Sequence, residues 1–338
     1  MKIRKSFFPV LFILFALTVA ISLTLGKYPL GWSELADFLL LKSFGMGAME
    51  PDRYSLLSSL LFEIRLPRIL AAALIGASLA VAGASFQAMF VNPLVSPSLL
   101  GVLAGASFGA ALGMVFFTNW LAVQCLTFLF GFLAVGIAVG IAKIHKGNTI
   151  LLLILGGVIS SALFTSLFSV LKYIFDSANQ LPAIVQWLMG GLSLVDHKTL
   201  LAAGIPQIVS IALMILFSGY LNALSMGDEE AQSLGIHVEW IRMFLIFLAT
   251  LMSALTVVIA GMIGWVGLII PHIARMLVGP DNKILIPASA LIGAIYLMIV
   301  DDFSRMLFNV EIPIGIITSL VGIPFFVLIL RKAKKGWE

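Results

Sequence analysis

Ala260-Gly-Met-Ile-Gly-Trp-Val-Gly-Leu-Ile-Ile-Pro-His272 is the stretch on which the reading of this chain turns. Gly261, Gly264, Gly267 and Pro271 interrupt a region otherwise apolar enough to lie in a bilayer. Lipid supplies no water to the backbone groups that a break frees, so interrupted backbone persists there only against protein or a water-filled path. A packing kink and a hinge beside a transport path both leave this pattern. By itself the stretch leaves those two readings level.

The surrounding composition places it in a membrane. The chain has 338 residues, 61% hydrophobic and 11% charged, with mean hydropathy +1.13. Soluble domains carry about 25% charged residues, so this is an integral membrane protein. The pI of 9.2 comes from Lys and Arg at the ends of apolar segments, which argues against a nucleic-acid partner. A single cysteine, Cys125, excludes an intrachain disulfide and argues against metal or thiol chemistry. The basic start Met-Lys-Ile-Arg-Lys precedes an apolar run from Phe7 to Leu25. That run is long for a signal peptide and lacks an Ala-x-Ala site, so an uncleaved first span is expected.

Apolar runs long enough to span fall near 7–25, 66–88, 97–117, 121–142, 150–172, 199–221, 240–260, 262–277, 284–307 and 314–331. An all-α membrane protein of about ten transmembrane helices follows, read as one domain over 1–338. An even count puts both termini on one side. With both termini cytoplasmic, twelve of the 20 Lys and Arg residues lie inside and eight outside, and the two tails are densely basic. Short surface helices are expected in the outer loops, from Lys27 to Glu63 and from Asp176 to Lys198, the second an amphipathic stretch around Trp187.

Gly101, Gly105, Gly109 and Gly113 recur every four residues, and Gly136 and Gly140 repeat that spacing; such stripes let helix backbones approach closely. A shift of 178 residues aligns Ala82-Gly83 and Pro93 with Ala260-Gly261 and Pro271, and Gly101 with Gly279. Structural repeats over about 64–172 and 240–331 are the expectation drawn from it.

Arg65 and Arg68 sit at the outer end of the second span, and Arg305 at the outer end of the ninth, beside Asp301-Asp302. Snorkelling to headgroups explains arginines there. A basic surface that docks an acidic partner explains them too, since the guanidinium fork pairs carboxylates bidentately. The loop near 222–239 reads as a short cytoplasmic helix. Ser225 is its expected N-cap, with Asp228 three residues later and Glu229 and Glu230 in the first turn, and Gly235 ends it. It is either a solvated connector or a knob for a partner's groove. His145, His197, His237 and His272 share no ligand spacing. No phosphate-binding Gly-x-x-x-x-Gly-Lys-Ser/Thr loop and no hydrolase constellation occurs, so the chain itself is not expected to hydrolyse ATP.

Several motifs together resemble a known family. Arg65-Leu-Pro-Arg68, Gly83-Ala-Ser-Phe-Gln87 through Asn92-Pro93-Leu94, and Pro97-Ser-Leu-Leu-Gly101 are similar to its second and third spans. Asp228 to Gly235, Gly264 to Arg275, Gly279-Pro-Asp281, Pro287 to Gly293, Glu311 to Gly315 and Gly322 to Phe326 are similar to its second half. The family is the FecCD permeases, membrane subunits of type II ABC importers for iron–siderophore complexes, haem, cobalamin and, in some members, molybdate. The resemblance covers the chain from about residue 60.

It implies the cobalamin-permease-like fold in a bacterial or archaeal cytoplasmic membrane. It also implies a second permease copy, two cytoplasmic ATPase subunits that bind the ATP, a substrate-binding protein above, and no cofactor in this chain. By the same resemblance, Arg65, Arg68 and Arg305 dock the binding protein, and Asp228, Glu229, Glu230, Ala231, Gln232, Leu234 and Gly235 form the coupling segment. Asn92 and Leu94 lie near the cytoplasmic gate, and Gly156, Ser160 and Ser161 line the pathway. Trp265 stands where the family has Phe, Met262 replaces a small residue or proline, and Asp301-Asp302 doubles a single acidic position. The implied cargo is a metal chelate, with molybdate or tungstate as the alternative. An ion-gradient-driven transporter is the reading from another class, and it predicts acidic or His coupling groups inside the spans, which are nearly free of acids.

Overall fold

The computed structural model describes residues 7–144, 149–174 and 180–334, all helix, turn and loop with no strand among them. His145 and the basic residues Lys2, Arg4, Lys5, Lys146 and Lys335, counted above for orientation, lie outside the described residues, as does the start of the loop after Asp176. In chain order the helices are α1 (Phe7–Thr24), α2 (Trp32–Phe44), α3 (Pro51–Ser58), α4 (Leu66–Met89), α5 (Val102–Phe116), α6 (Trp120–Ile144) and α7 (Thr149–Ile174). They continue with α8 (Gln180–Leu188), α9 (His197–Leu216), α10 (Ser218–Leu224), α11 (Asp228–Ser233), α12 (Val238–Ala260), α13 (Val266–Val278), α14 (Asn282–Met306) and α15 (Ile314–Lys334).

Seven helical stretches among the described residues are long and apolar enough to cross a bilayer. Three shorter apolar helices, Val102–Phe116, Val266–Val278 and Ile314–Leu328, occupy the other three expected positions. The second span departs from expectation at its start. Helix α3 runs through a wide π-type turn, Ser59–Arg65, straight into α4, so one rod of 39 residues extends from Pro51 to Met89. Pro67 has no N–H for the carbonyl four residues back, and the wider turn just before it accommodates that loss. Leu35 and Phe38 of α2 pack on Leu57 and Leu61 to make a small apolar cap over this end.

Helix α4 is the centre of the bundle. Its sequence is rich in Ala and Gly, and nearly every residue from Pro67 to Met89 is buried. Without a hydrophobic drive between helices in lipid, close backbone approach supplies the packing. At Gly83 the α4 backbone lies against the Gly267 backbone of α13, and at Gly76 it lies against Gly293 of α14. Pro271 cannot donate to the Gly267 carbonyl, and that carbonyl instead faces the Gly83 Cα.

The glycine stripes are only partly what they promised. Gly105 and Gly109 meet the α6 backbone at Phe130 and Leu126. Gly101 belongs to a turn instead: φ is +83°, after the 3-10 turn Pro97–Leu100. Gly136 and Gly140 have nothing within 4 Å of where a methyl would stand, so they make no close helix crossing in this chain.

Candidate functional site

At one end of the bundle, called here the Arg68 end, six charged side chains form a single cluster. Arg68 of α4 donates from Nε and Nη2 to Asp301 at 2.9–3.0 Å, and from Nη1 to Glu311 at 3.0 and 3.1 Å. Arg305 lies 3.2 Å from Asp301 through Nε, an ion pair whose N–H is not aligned for a hydrogen bond. Its Nη2 donates to Asp302, which accepts a further bond from Ser22 of α1 at 2.6 Å. Arg65 donates to the carbonyls of Leu23 and Tyr28. Helices α1, α4 and α14 and the 307–313 segment are thus tied together by charge.

Within this chain the three arginines are buried rather than fanned out over the surface. Arg65, Arg68 and Arg305 are 3%, 7% and 7% exposed. A guanidinium buried to that degree without partners is strongly unfavourable, so acids pair Arg68 and Arg305 and backbone carbonyls take Arg65. The doubled Asp301-Asp302 finds its reason here: Asp301 serves Arg68 and Arg305, and Asp302 joins Arg305 to Ser22. Glu311 and Ser193 are not singled out as site residues by sequence alone. Three acids beside three arginines near span ends is the available signal, since charges at that depth must find partners.

Glu311 differs from its neighbours in the cluster. Its side chain is 31% exposed, against 1% and 10% for Asp301 and Asp302. It lies on a loop rather than a helix and also accepts from the Ser193 hydroxyl at 2.7 Å. Burial pushes its pKa up, but the Ser193 bond and the Arg68 charge outweigh that and hold it below the usual range.

The broken stretch connects to this cluster through the 189–191 turn. Gly261 ends α12 with φ +68° and ψ −156°, and a methyl there would run into the Trp187 carbonyl. Trp265 is one of two described non-glycine residues with positive φ, at +68°. Its ring meets Phe326 edge-on at 6.2 Å and fills the space beside Gly322 of α15. Hydrogen bonds from Gly191 N to Ala260 O, Ile314 N to Gly190 O and Gly315 N to Met189 O stitch α12, the 189–191 turn and α15 at this point.

At the opposite end, α11 is a single short helix. Ser225 does not cap it, because the helix starts only at Asp228 and Ser225 closes the preceding helix α10; Gly227, with φ +119°, occupies the N-cap position. Gly235 does end it, with φ +78° and its N–H on the Gln232 carbonyl. Asp228 receives both Nη atoms of Arg242, a residue of α12 that is 3% exposed. The Arg242 hydrogen bond holds the Asp228 carboxyl below its usual range, against a smaller upward push from burial. Glu229 and Glu230 are exposed, Ala231 is fully buried, and Leu234 is 63% exposed. Gln232, Leu234 and Gly235 border an open groove completed by Lys143, Tyr220 and Trp240.

The turn after α4 is tight. Val91 has φ +49°, Asn92 accepts the Leu94 N–H at 2.9 Å, and Leu94 is 53% exposed. The α7 residues expected along a path pack against neighbouring elements of this chain. Gly156 packs on the Ala138 backbone of α6, and Ser160 is fully buried with its hydroxyl on the Ala134 carbonyl at 2.7 Å. Ser161 lies half-buried beside Gly101. The exposed face of α7 is Leu151, Leu155, Val158, Ile159 and Leu163. Among the described residues no cluster of three His, Cys, Asp or Glu side chains could hold a metal ion.

Three comparisons join these geometries to known proteins. The chain is 39% identical to the molybdate import system permease protein MolB of Haemophilus influenzae, over 96% of this chain and 95% of that protein. It is 34% identical to the iron(3+)-hydroxamate import system permease protein FhuB of Bacillus subtilis, over 82% of this chain and 72% of that one. A solved structure of an inward-facing ABC transporter, described as of the metal-chelate type, superposes with a TM-score of 0.85 at 37% identity, over 97% of this chain and 99% of that one. The pattern of the FecCD transport family matches residues 13–332, and the chain belongs to that family of ABC-importer permeases.

Proposed function

We propose that this permease imports a metal chelate by alternating access, powered by ATPase subunits that bind α11 and its flanks. The observation that carries this reading is the hold on α11. A short helix with an exposed Leu234 is fixed by Asp228 to Arg242 near the start of α12, and α12 runs the length of the bundle to the Gly261 junction. A push on α11 is therefore delivered to α12 and to the α12–α13 break rather than absorbed in a loop. Termini on the ATPase side, a binding protein at the Arg68 end and a second copy packed on exposed apolar faces of α7 and α15 complete the assembly. Leu94, in the turn after α4, is the gate residue on the ATPase side. The stretches 64–172 and 240–331 are structural repeats in this reading. ATP is bound by the partner subunit, and this chain contributes no catalytic group.

Ferric hydroxamate, named for the Bacillus relative, sets the metal-chelate class. A molybdate-type oxyanion is the second reading, favoured by the 39% identity over nearly the whole length of the Haemophilus relative. Elemental analysis of cells overexpressing the complete importer, grown with trace iron and molybdate, separates them. ATP-dependent enrichment of iron supports the chelate, and enrichment of molybdenum alone overturns it in favour of the oxyanion.

A further inference from the structure

We infer that Glu311 is an internal stand-in for a docking partner's carboxylate, released from Arg68 when an acidic protein surface seats on the Arg68 end. The inference rests on the docking reading given above and adds to it the exchange and its consequence. Charge supplies the first argument. Arg68 and Arg305 are ion-paired within the cluster with Asp301, Asp302 and Glu311, while Arg65 is held by the Leu23 and Tyr28 carbonyls. Asp301 and Asp302 are buried and sit on α14, so they cannot leave without unravelling a helix. Glu311 alone is on a loop and partly in solvent, and it holds only the outermost nitrogen of Arg68, Nη1. An arriving carboxylate takes the Nη1 donor that Glu311 vacates, in a charge-assisted bond of the same kind, while Asp301 keeps Nε and Nη2. Exchange keeps Arg68 paired throughout, which avoids the penalty of an uncompensated buried cation.

Connectivity supplies the second argument. Glu311 is the nail of a joint. Its carboxylate holds Ser193 at 2.7 Å, and the next residues bond Ile312 N to Ser304 O, Ile314 N to Gly190 O and Gly315 N to Met189 O. The 189–191 turn is in turn bonded to Ala260, at the lip of the Gly261–Trp265 break. Releasing Glu311 loosens α15, the turn and the break together. The Lys27 ammonium, bonded to the Asn309 carbonyl, adds a second positive charge near Glu311 that offers the displaced side chain a place to go. Docking is thereby coupled to the junction by one carboxylate exchange, and the unoccupied permease is kept latched.

The test uses the complete permease–ATPase complex in nanodiscs and, as probe, the importer's purified substrate-binding protein, with surface plasmon resonance and hydrogen exchange as readouts. Glu311→Gln removes the competing charge and tightens docking by about tenfold. Ser193→Ala, which leaves the cluster's charge intact, shifts docking the same way by a smaller factor. Amides of Ile312, Ile314 and Gly315 exchange faster in the docked native complex and in undocked Glu311→Gln. Glu311→Asp restores native docking and slow exchange. No binding of the native complex to the probe sinks the docking reading itself. Native docking with unchanged affinity in Glu311→Gln and unchanged amide exchange overturns the stand-in role and leaves docking standing.

Discussion

Replacing Gly83 by alanine attacks the closest helix crossing around the broken stretch. A methyl at Gly83 would stand 2.5 Å from the Gly267 carbonyl carbon and 2.6 Å from its Cα. The Gly267 carbonyl oxygen would be closer still, and ordinary contact begins near 3.4 Å, so α4 and α13 must separate by about 1.5 Å at this point, and these neighbours are backbone that cannot rotate away. Overpacking of this kind costs about 1–3 kcal/mol. Gly136→Ala is the matched control, because nothing lies within 4 Å of its methyl. Both changes gain the same helix preference, up to about 1 kcal/mol, so their difference isolates the clash. Tryptophan-monitored thermal unfolding of the purified variants should place Gly83→Ala several degrees below Gly136→Ala. Cargo uptake should fall in Gly83→Ala alone. A Gly83→Ala protein that melts with or above Gly136→Ala would refute the crossing and with it the role given to Pro271.

Asp301→Asn strips a carboxylate that is 1% exposed from between two arginines and should destabilise the fold by about 3–5 kcal/mol, read as loss of the monodisperse peak in size-exclusion chromatography. Asp302→Asn, which leaves Asp301 to both arginines, should be milder in the same assay. The α11 hold depends on pH in a defined sense. A carboxylate with a lowered folded pKa contributes stability that is full above its unfolded value and is lost as pH falls through the folded one. Because Arg242 lowers Asp228, a spin label on Leu234→Cys in a Cys125→Ser background should keep its neutral-pH spectrum as pH falls and gain mobility only below about pH 4; a transition near neutrality would contradict the pairing. Leu234→Asp should leave ATP hydrolysis running while uptake fails, measured side by side in proteoliposomes.

Most of the fold was legible because lipid imposes it: long apolar runs must be helices, and the junction glycines mark where they stop. What escaped was decided by tertiary contacts that leave no local trace. The π-turn into α4 depends on Pro67, yet its length reads as loop because Glu63, Arg65 and Arg68 cut the apolar run. Gly136 and Gly101 share the spacing of Gly105 and Gly109 but not their neighbours, since spacing specifies a face and not what covers it. Ser225 lost the cap of α11 because it closes the end of α10, and the glycine turn at Gly227 starts α11 two residues later. The arginines stand out in the sequence for a sound reason, an unusual charge at a span end, and their partners Asp301, Asp302 and Glu311 are in view there. Only the fold brings α4, α14 and the 307–313 loop together.

The energy source for cargo movement is the most direct point at which the mechanism can fail. The permease, reconstituted in proteoliposomes with its ATPase and binding protein, should accumulate iron or molybdenum only when ATP hydrolysis is available to the ATPase, with no response to proton or sodium gradients. Asp301 and Asp302, the buried acids of α14, are committed to Arg68 and Arg305 as ion pairs, in keeping with that expectation. Accumulation that follows an imposed ion gradient without ATP would contradict it.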